Sequence, residues 1–209
     1  MRWTLVVTLA ACSEYVIDPP EPPPTAEPPG IDPDADFGQP PEWSSCTTGY
    51  HGQYYNLTVD DPDVEPAPDA PVVEDPTGLD WWDPARLAWR RYDGGLDFGA
   101  NWWPVDEGFE GDPAYFAVRW TAWIRVWDGT TLELTLGSAD DGWVLVDGSV
   151  VAAQPGVHPF EPATFAVSLE SGQYPLDIRM AQRAGEDSAF RFRVLSGDVT
   201  ICYPEFTEE

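Results

Sequence analysis

The sequence predicts an all-β fold, an antiparallel β-sandwich, on three observations. Apolar and polar residues alternate with a period of two in segment after segment. Gly, Asp and Pro interrupt those segments at short intervals, and a helical period is nowhere sustained. Eleven Trp and 13% aromatic residues in a chain of 209 give enough apolar material for one domain with appendages.

In chain order, the first strand is expected from Gln53 to Leu57. Phe116, Val118 and Trp120 then alternate with Ala117 and Arg119, and Leu132, Leu134 and Leu136 alternate with Glu133 and Thr135. Phe165, Val167 and Leu169 repeat the pattern, as do Phe190, Phe192 and Val194 around Arg191 and Arg193. Each of these strands is expected to keep one wet face. Trp143 to Val146 and Val150 to Ala152 form a hairpin across Asp147-Gly148. Tyr174 to Met180 completes the set, with Pro175 suited to a strand start or an edge. The acidic, Pro-rich stretch from Asp60 to Gly78 is expected as a long surface loop that covers or borders a site.

The expected domain runs over 46–204 and ends in an acidic tail at 205–209. Before it, residues 13–45 are dominated by Pro, Asp and Glu without a basic residue, which makes a disordered, extended spacer. Residues 1–12 read as an export signal: one positive charge, a short apolar run and small residues before Cys12. Leu9-Ala10-Ala11-Cys12 resembles a bacterial lipobox, which implies a lipid anchor on Cys12 and an envelope location, with outer-membrane sorting compatible with Ser13. The membrane would then be met through that anchor only. In an exported chain Cys46 and Cys202 are expected to form a disulfide.

All ten basic residues are Arg, against 37 Asp and Glu, and the formal charge of -27 argues against nucleic acid as a partner. No phosphate loop, nucleophile elbow or His-rich zinc spacing is present, so no enzyme is expected. The segment Gly137-Ser138-Ala139-Asp140-Asp141-Gly142-Trp143 is the most informative in the chain. Adjacent carboxylates on a tight loop repel unless a positive charge lies between them, and calcium, which takes six or more oxygens, is the expected remedy.

Gly52-Gln53-Tyr54-Tyr55-Asn56, Phe116-Ala117-Val118-Arg119-Trp120-Thr121 and Ser138 to Gly148 together resemble the anthrax protective-antigen type β-sandwich domain. Gly156-Val157-His158-Pro159, Tyr174 to Ile178, Gln182-Arg183 and Ser188-Ala189-Phe190-Arg191 are similar to its bacterial fibro-slime relative. The resemblance implies a jelly-roll-like sandwich that binds glycan or polysaccharide, or serves adhesion. In flocculin-type members two adjacent Asp joined by a cis peptide hold calcium, and the calcium holds sugar hydroxyls. Asp140 and Asp141 carry that over by position. Ala189 stands where relatives have Asn, so an oxygen ligand is lost, with Glu186 and Asp187 near enough in sequence to replace it. The candidate metal ligands are Asp140, Asp141 and Asp187; the candidate sugar contacts are Asp140, Asp141, Trp143, His158, Gln182 and Arg183.

The pairs Trp81-Trp82 and Trp102-Trp103 suit either sugar stacking or closure of the open ends of a sandwich. His158 follows a Pro-Gly turn and suits a turn role as much as a ligand. Arg183, Arg191 and Arg193 fit either orientation of Glu186 and Asp187 or cross-strand charge balance. Two functional classes follow: a calcium-assisted glycan-binding module, and a scaffold whose acidic loop docks an envelope protein partner.

Overall fold

The computed structural model describes residues 37, 39–44, 46–66, 72–185 and 187–203. Cys12 and its lipobox, most of the spacer, the acidic tail and Glu186 lie outside the described residues. The strands are β1 (Tyr50–Asn56), β2 (Leu87–Asp93), β3 (Leu96–Ala100), β4 (Phe116–Val126), β5 (Thr130–Ser138), β6 (Asp141–Val146), β7 (Ser149–Gln154), β8 (Ala163–Leu169), β9 (Gly172–Gln182), β10 (Ala189–Ser196) and β11 (Val199–Cys202).

They form an antiparallel sandwich. One sheet runs β2-β1-β4-β9-β6-β7, with β11 also on β4; the other runs β3-β10-β5-β8. The alternating apolar residues meet between the sheets: Phe116, Val118, Trp120 and Ile124 of β4 face Leu132, Leu134 and Leu136 of β5 and Phe190 and Phe192 of β10. One hydrogen-bonded polar network enters this core. Asp93 accepts from the Tyr54 hydroxyl (2.9 Å) and the Trp120 indole (2.8 Å) and pairs with Arg91. Burial is the main cause that raises its carboxyl above the usual range.

The expectation of a wet outer face fails for the larger sheet. Tyr55, Ala117, Trp143, Leu145 and Ala181 on that face join Leu57, Val64, Trp81 and Trp82 in a second buried cluster. The segment after β1 therefore crosses the sheet and roofs it. Its first acids are engaged with the domain itself: Asp61 pairs with Arg86, Asp63 accepts from the Trp81 indole (2.7 Å) and Glu65 accepts from the Tyr115 hydroxyl (2.5 Å). Trp81 and Trp82 thus close a sheet face, whereas Trp102 is buried in the core between the sheets.

Farther along the outer face, Asp177 lies between Arg119 (3.0 Å) and Arg179 (2.8 Å), all three buried. Burial pushes the Asp177 carboxyl up, and the two guanidinium groups outweigh it, so it is held below the usual carboxylate range. Arg179 is capped by the Trp82 ring at 5.0 Å. The folded unit also takes in residues before Cys46: Phe37 packs edge-on against Trp123, whose indole donates to the Phe37 carbonyl (2.9 Å). Cys46 and Cys202 form the expected disulfide across 156 positions.

β2, β3 and β11 are absent from the sequence-based expectation. Pro175 sits in β9, an inner strand, opposite Trp123 and just past Leu176, the last β9 residue paired with β6. There the carbonyl of Pro175 still accepts from the Asp147 N–H (2.9 Å), where the pairing with β6 ends, so the missing N–H falls at the end of a ladder.

Candidate functional site

The paired aspartates occupy the crossover from one sheet to the other. β5 ends at Ser138 in the four-stranded sheet, and β6 begins at Asp141 in the larger one. The sharp turn needs a left-handed residue, which Asp140 supplies at φ 60°, a conformation Asp tolerates better than most. The Asp140 N–H donates to the His158 carbonyl (3.0 Å), and the Ala139 N–H to the Ala189 carbonyl (2.8 Å). A Cβ at residue 142 would stand 2.8 Å from Ser138 Oγ, so glycine permits the close return of the chain.

Most of the predicted site residues are brought together, and they are sealed from solvent. Relative exposure is 3% for Asp140, 0% for Asp141, Trp143 and Gln182, and 6% for Arg183. Asp140 Oδ2 accepts from the main-chain N–H of Arg183 (2.8 Å) and Ala184 (2.7 Å) and from the Gln182 side-chain amide (2.9 Å). The same amide donates to the carbonyls of Ala184 and Asp187. Asp141 Oδ2 accepts from Arg183 Nε (2.6 Å), and its Oδ1 accepts from the Gly156 N–H. Arg183 also donates from Nη1 to the Asp63 carbonyl (3.1 Å), and its guanidinium lies 4.8 Å from the Trp81 ring centre. Burial is the main cause that raises the Asp140 carboxyl to about 6; the Ala184 and Arg183 amides pull it down, Asp141 adds to the rise and Arg183 opposes it.

Trp143, His158 and Asp187 take structural parts that their side chains were not expected to play. Trp143 is a core residue whose indole donates to the Val73 carbonyl (3.1 Å). His158 contributes its carbonyl to the Asp140 turn, and its ring contacts the carbonyls of Pro159 and Gln154. The exposed Asp187 reaches the site through its carbonyl. Arg183 pairs with Asp141 rather than with Asp187, and Arg191 and Arg193 pair with Asp97. Among the described residues no peptide is cis, so the Asp140–Asp141 bond is trans, in contrast to the resemblance.

This donor set does not fit a calcium ion. Calcium needs six to eight oxygens at roughly 2.3–2.6 Å. Here both carboxylates already face N–H donors and a guanidinium, and among the described residues no three His, Cys, Asp or Glu converge.

What the network holds is the wall of a cleft. The turn after β9 carries Gly185, one to three residues beyond the groups clamped by Asp140, and Gly185 packs beside Ala114 and Tyr115. With Trp103, Val105, Asp106, Pro113 and Ala114 it lines a shallow cleft of about 320 Å³, broadly open to solvent. Trp103 is half-buried, with its inner side on the core, and Asp106 is exposed. The Trp102-Trp103 pair, flanked by Asn101 and Pro104, marked one side of this cleft in sequence; nothing local marked Asp106, Pro113, Ala114 or Gly185.

The chain superimposes on the PA14 domain of the MpAFP antifreeze protein with a TM-score of 0.56 at 14% identity, over 79% of this chain and 96% of that one. The PA14 sugar-binding domain from an RTX adhesin aligns at 0.54 and 16% identity, over 74% and 94%. The fold is that of these PA14 domains. An anti-sigma factor domain-containing protein aligns at 0.51 and 15% identity, over 78% of this chain and 47% of that one. No protein-family model matches the chain, and no curated protein matches it. The crossover with the paired Asp and the cleft share one end of the sandwich, the end where Phe116 of β4 faces Gln182 of β9.

Proposed function

We propose that this chain is a non-catalytic, exported envelope protein, anchored through Cys12, whose sandwich binds a glycan or polysaccharide in the cleft beside Trp103. The cleft carries the reading. It is a shallow, open depression of about 320 Å³, which suits a sugar ring laid flat on the surface rather than a small molecule buried in a pocket. It offers a flat indole for the apolar face of a sugar ring, the Asp106 carboxylate for hydroxyl groups, and walls of Pro113 and Gly185. The fold shared with a PA14 domain described as sugar-binding supports the same ligand class. The buried aspartates act here as supports for the Gly185 wall, and the disulfide suits an oxidising compartment. Docking of an envelope protein on the acidic loop has less behind it, because Asp61, Asp63 and Glu65 are turned to partners within the domain.

A glycan array probed with the full-length chain tests this. Binding is expected, with Trp103→Ala weakening it at least tenfold while Trp127→Ala, at an exposed indole elsewhere, leaves it unchanged. Absence of any bound glycan, or equal binding by Trp103→Ala, would overturn the reading.

A further inference from the structure

We propose that Arg183 supplies in this chain the positive charge that the adjacent carboxylates require, so that the domain is built and operates without calcium. One residue engages both acids: the guanidinium of Arg183 neutralises Asp141 at 2.6 Å, and its neutral main-chain N–H bonds Asp140 at 2.8 Å. The guanidinium is held on its other sides by the Asp63 carbonyl and the Trp81 ring. Trp81 is in turn tied to Asp63 through its indole N–H (2.7 Å). The charge is therefore enclosed by the roof over the larger sheet, with Arg183 only 6% exposed.

Two consequences separate this arrangement from a metal site. A guanidinium is charged at every accessible pH, and this one directs Nε and Nη1 to Asp141 and Asp63 and is buried, so it presents no coordination position to an outside hydroxyl. A metal between two carboxylates would have such positions. The aspartates are thus committed to the fold, and any ligand is met at the neighbouring cleft; that last point rests on the glycan reading, whereas calcium independence does not.

The test is thermal unfolding and calorimetric titration of the full-length chain, freed of metal with a chelator and then given calcium at about 5 mM, above the roughly 10⁻⁴–10⁻³ M of weak extracellular calcium modules. In about 0.15 M salt, which already screens the excess acids, the wild type is expected to show no saturable heat and no change in melting temperature beyond that given by the same concentration of magnesium. The variant Arg183→Gln is expected to melt lower and to recover part of the loss in calcium, because Asp141 then lies beside Asp140 without its counter-charge. A saturable heat with a rise of several degrees in the wild type would overturn the proposal. So would a folded Arg183→Gln that melts like the wild type and ignores calcium. Should Arg183→Gln fail to fold with and without calcium, the wild-type titration decides alone. Neither readout involves a glycan, so a failure here is distinct from a failure of the cleft to bind sugar.

Discussion

Asp141 and Arg183 are a fully enclosed ion pair, and their value is best seen by removing one charge. Asp141→Asn leaves a buried guanidinium without its counter-charge, and the expected loss is about 3–5 kcal/mol in urea unfolding. Asp140 carries a different signature. Its carboxyl titrates at about 6 in the folded chain, above its ordinary 3.8, so the folded state binds that proton more tightly. The stabilisation is complete below about pH 4 and is lost as pH rises through about 6. Relative to Asp140→Asn, which does not titrate, the wild type should therefore lose roughly 3 kcal/mol across that window, read as the difference between unfolding curves at each pH. Asp177, held below its ordinary range, contributes in the opposite sense and is lost in acid, which is why the paired comparison is needed. The acids of this site were legible in the sequence because neighbouring carboxylates on a tight turn demand a partner. The partner was not: 42 positions separate Arg183 from Asp141, and only the pairing of β6 with β9 brings them together.

The strands visible as alternation, such as β4, β5, β8 and β10, are those with many apolar residues on one side of the backbone. β2 escaped notice because its seven residues Leu-Ala-Trp-Arg-Arg-Tyr-Asp contain adjacent charges, one of which, Arg91, turns inward to Asp93 and lies 4.9 Å from the Tyr54 ring centre. β3 and β11 are five and four residues long, too short for a period to register. The second cluster was hidden for another reason: its roof comes from a Pro-rich, acidic segment whose composition reads as solvent-exposed, while its anchors Trp81 and Trp82 stand at the far end. Truncating the fully enclosed Trp81 to Ala should cost about 3–5 kcal/mol by loss of packing. The same change removes the ring over Arg183 and the donor to Asp63, so a steeper chemical-denaturation loss than for Asp141→Asn is expected. Replacement of Cys46 and Cys202 together by Ser, followed by equilibrium unfolding, should lower stability by up to about 5 kcal/mol, since the bridge closes 156 positions of chain.

At the scale of the molecule, a formal charge of -27 sets a self-repulsion that no local pairing cancels. Raising salt from a few millimolar to about 0.15 M, where charges farther apart than about 8 Å are screened, should raise the melting temperature; a flat or falling response would mean that the Arg–Asp pairs outweigh the excess acids. The sandwich architecture was evident from composition and period, because both follow from the need to bury one side of each strand. The end of the molecule that carries the cleft was not, because it depends on which loops the topology gathers. That topology also dictates where load would pass. β1 and β11 lie in line along the same edge of β4, and Cys202 is opposite Trp123, seven residues or about 23 Å along β4 from the Phe116 end. A tug arriving through Cys46 is therefore shared at once between both strands by a covalent link, far from the end that carries the cleft, so neither strand can be peeled away alone. The domain is braced as a shackle is, with the pin at one end and the opening at the other.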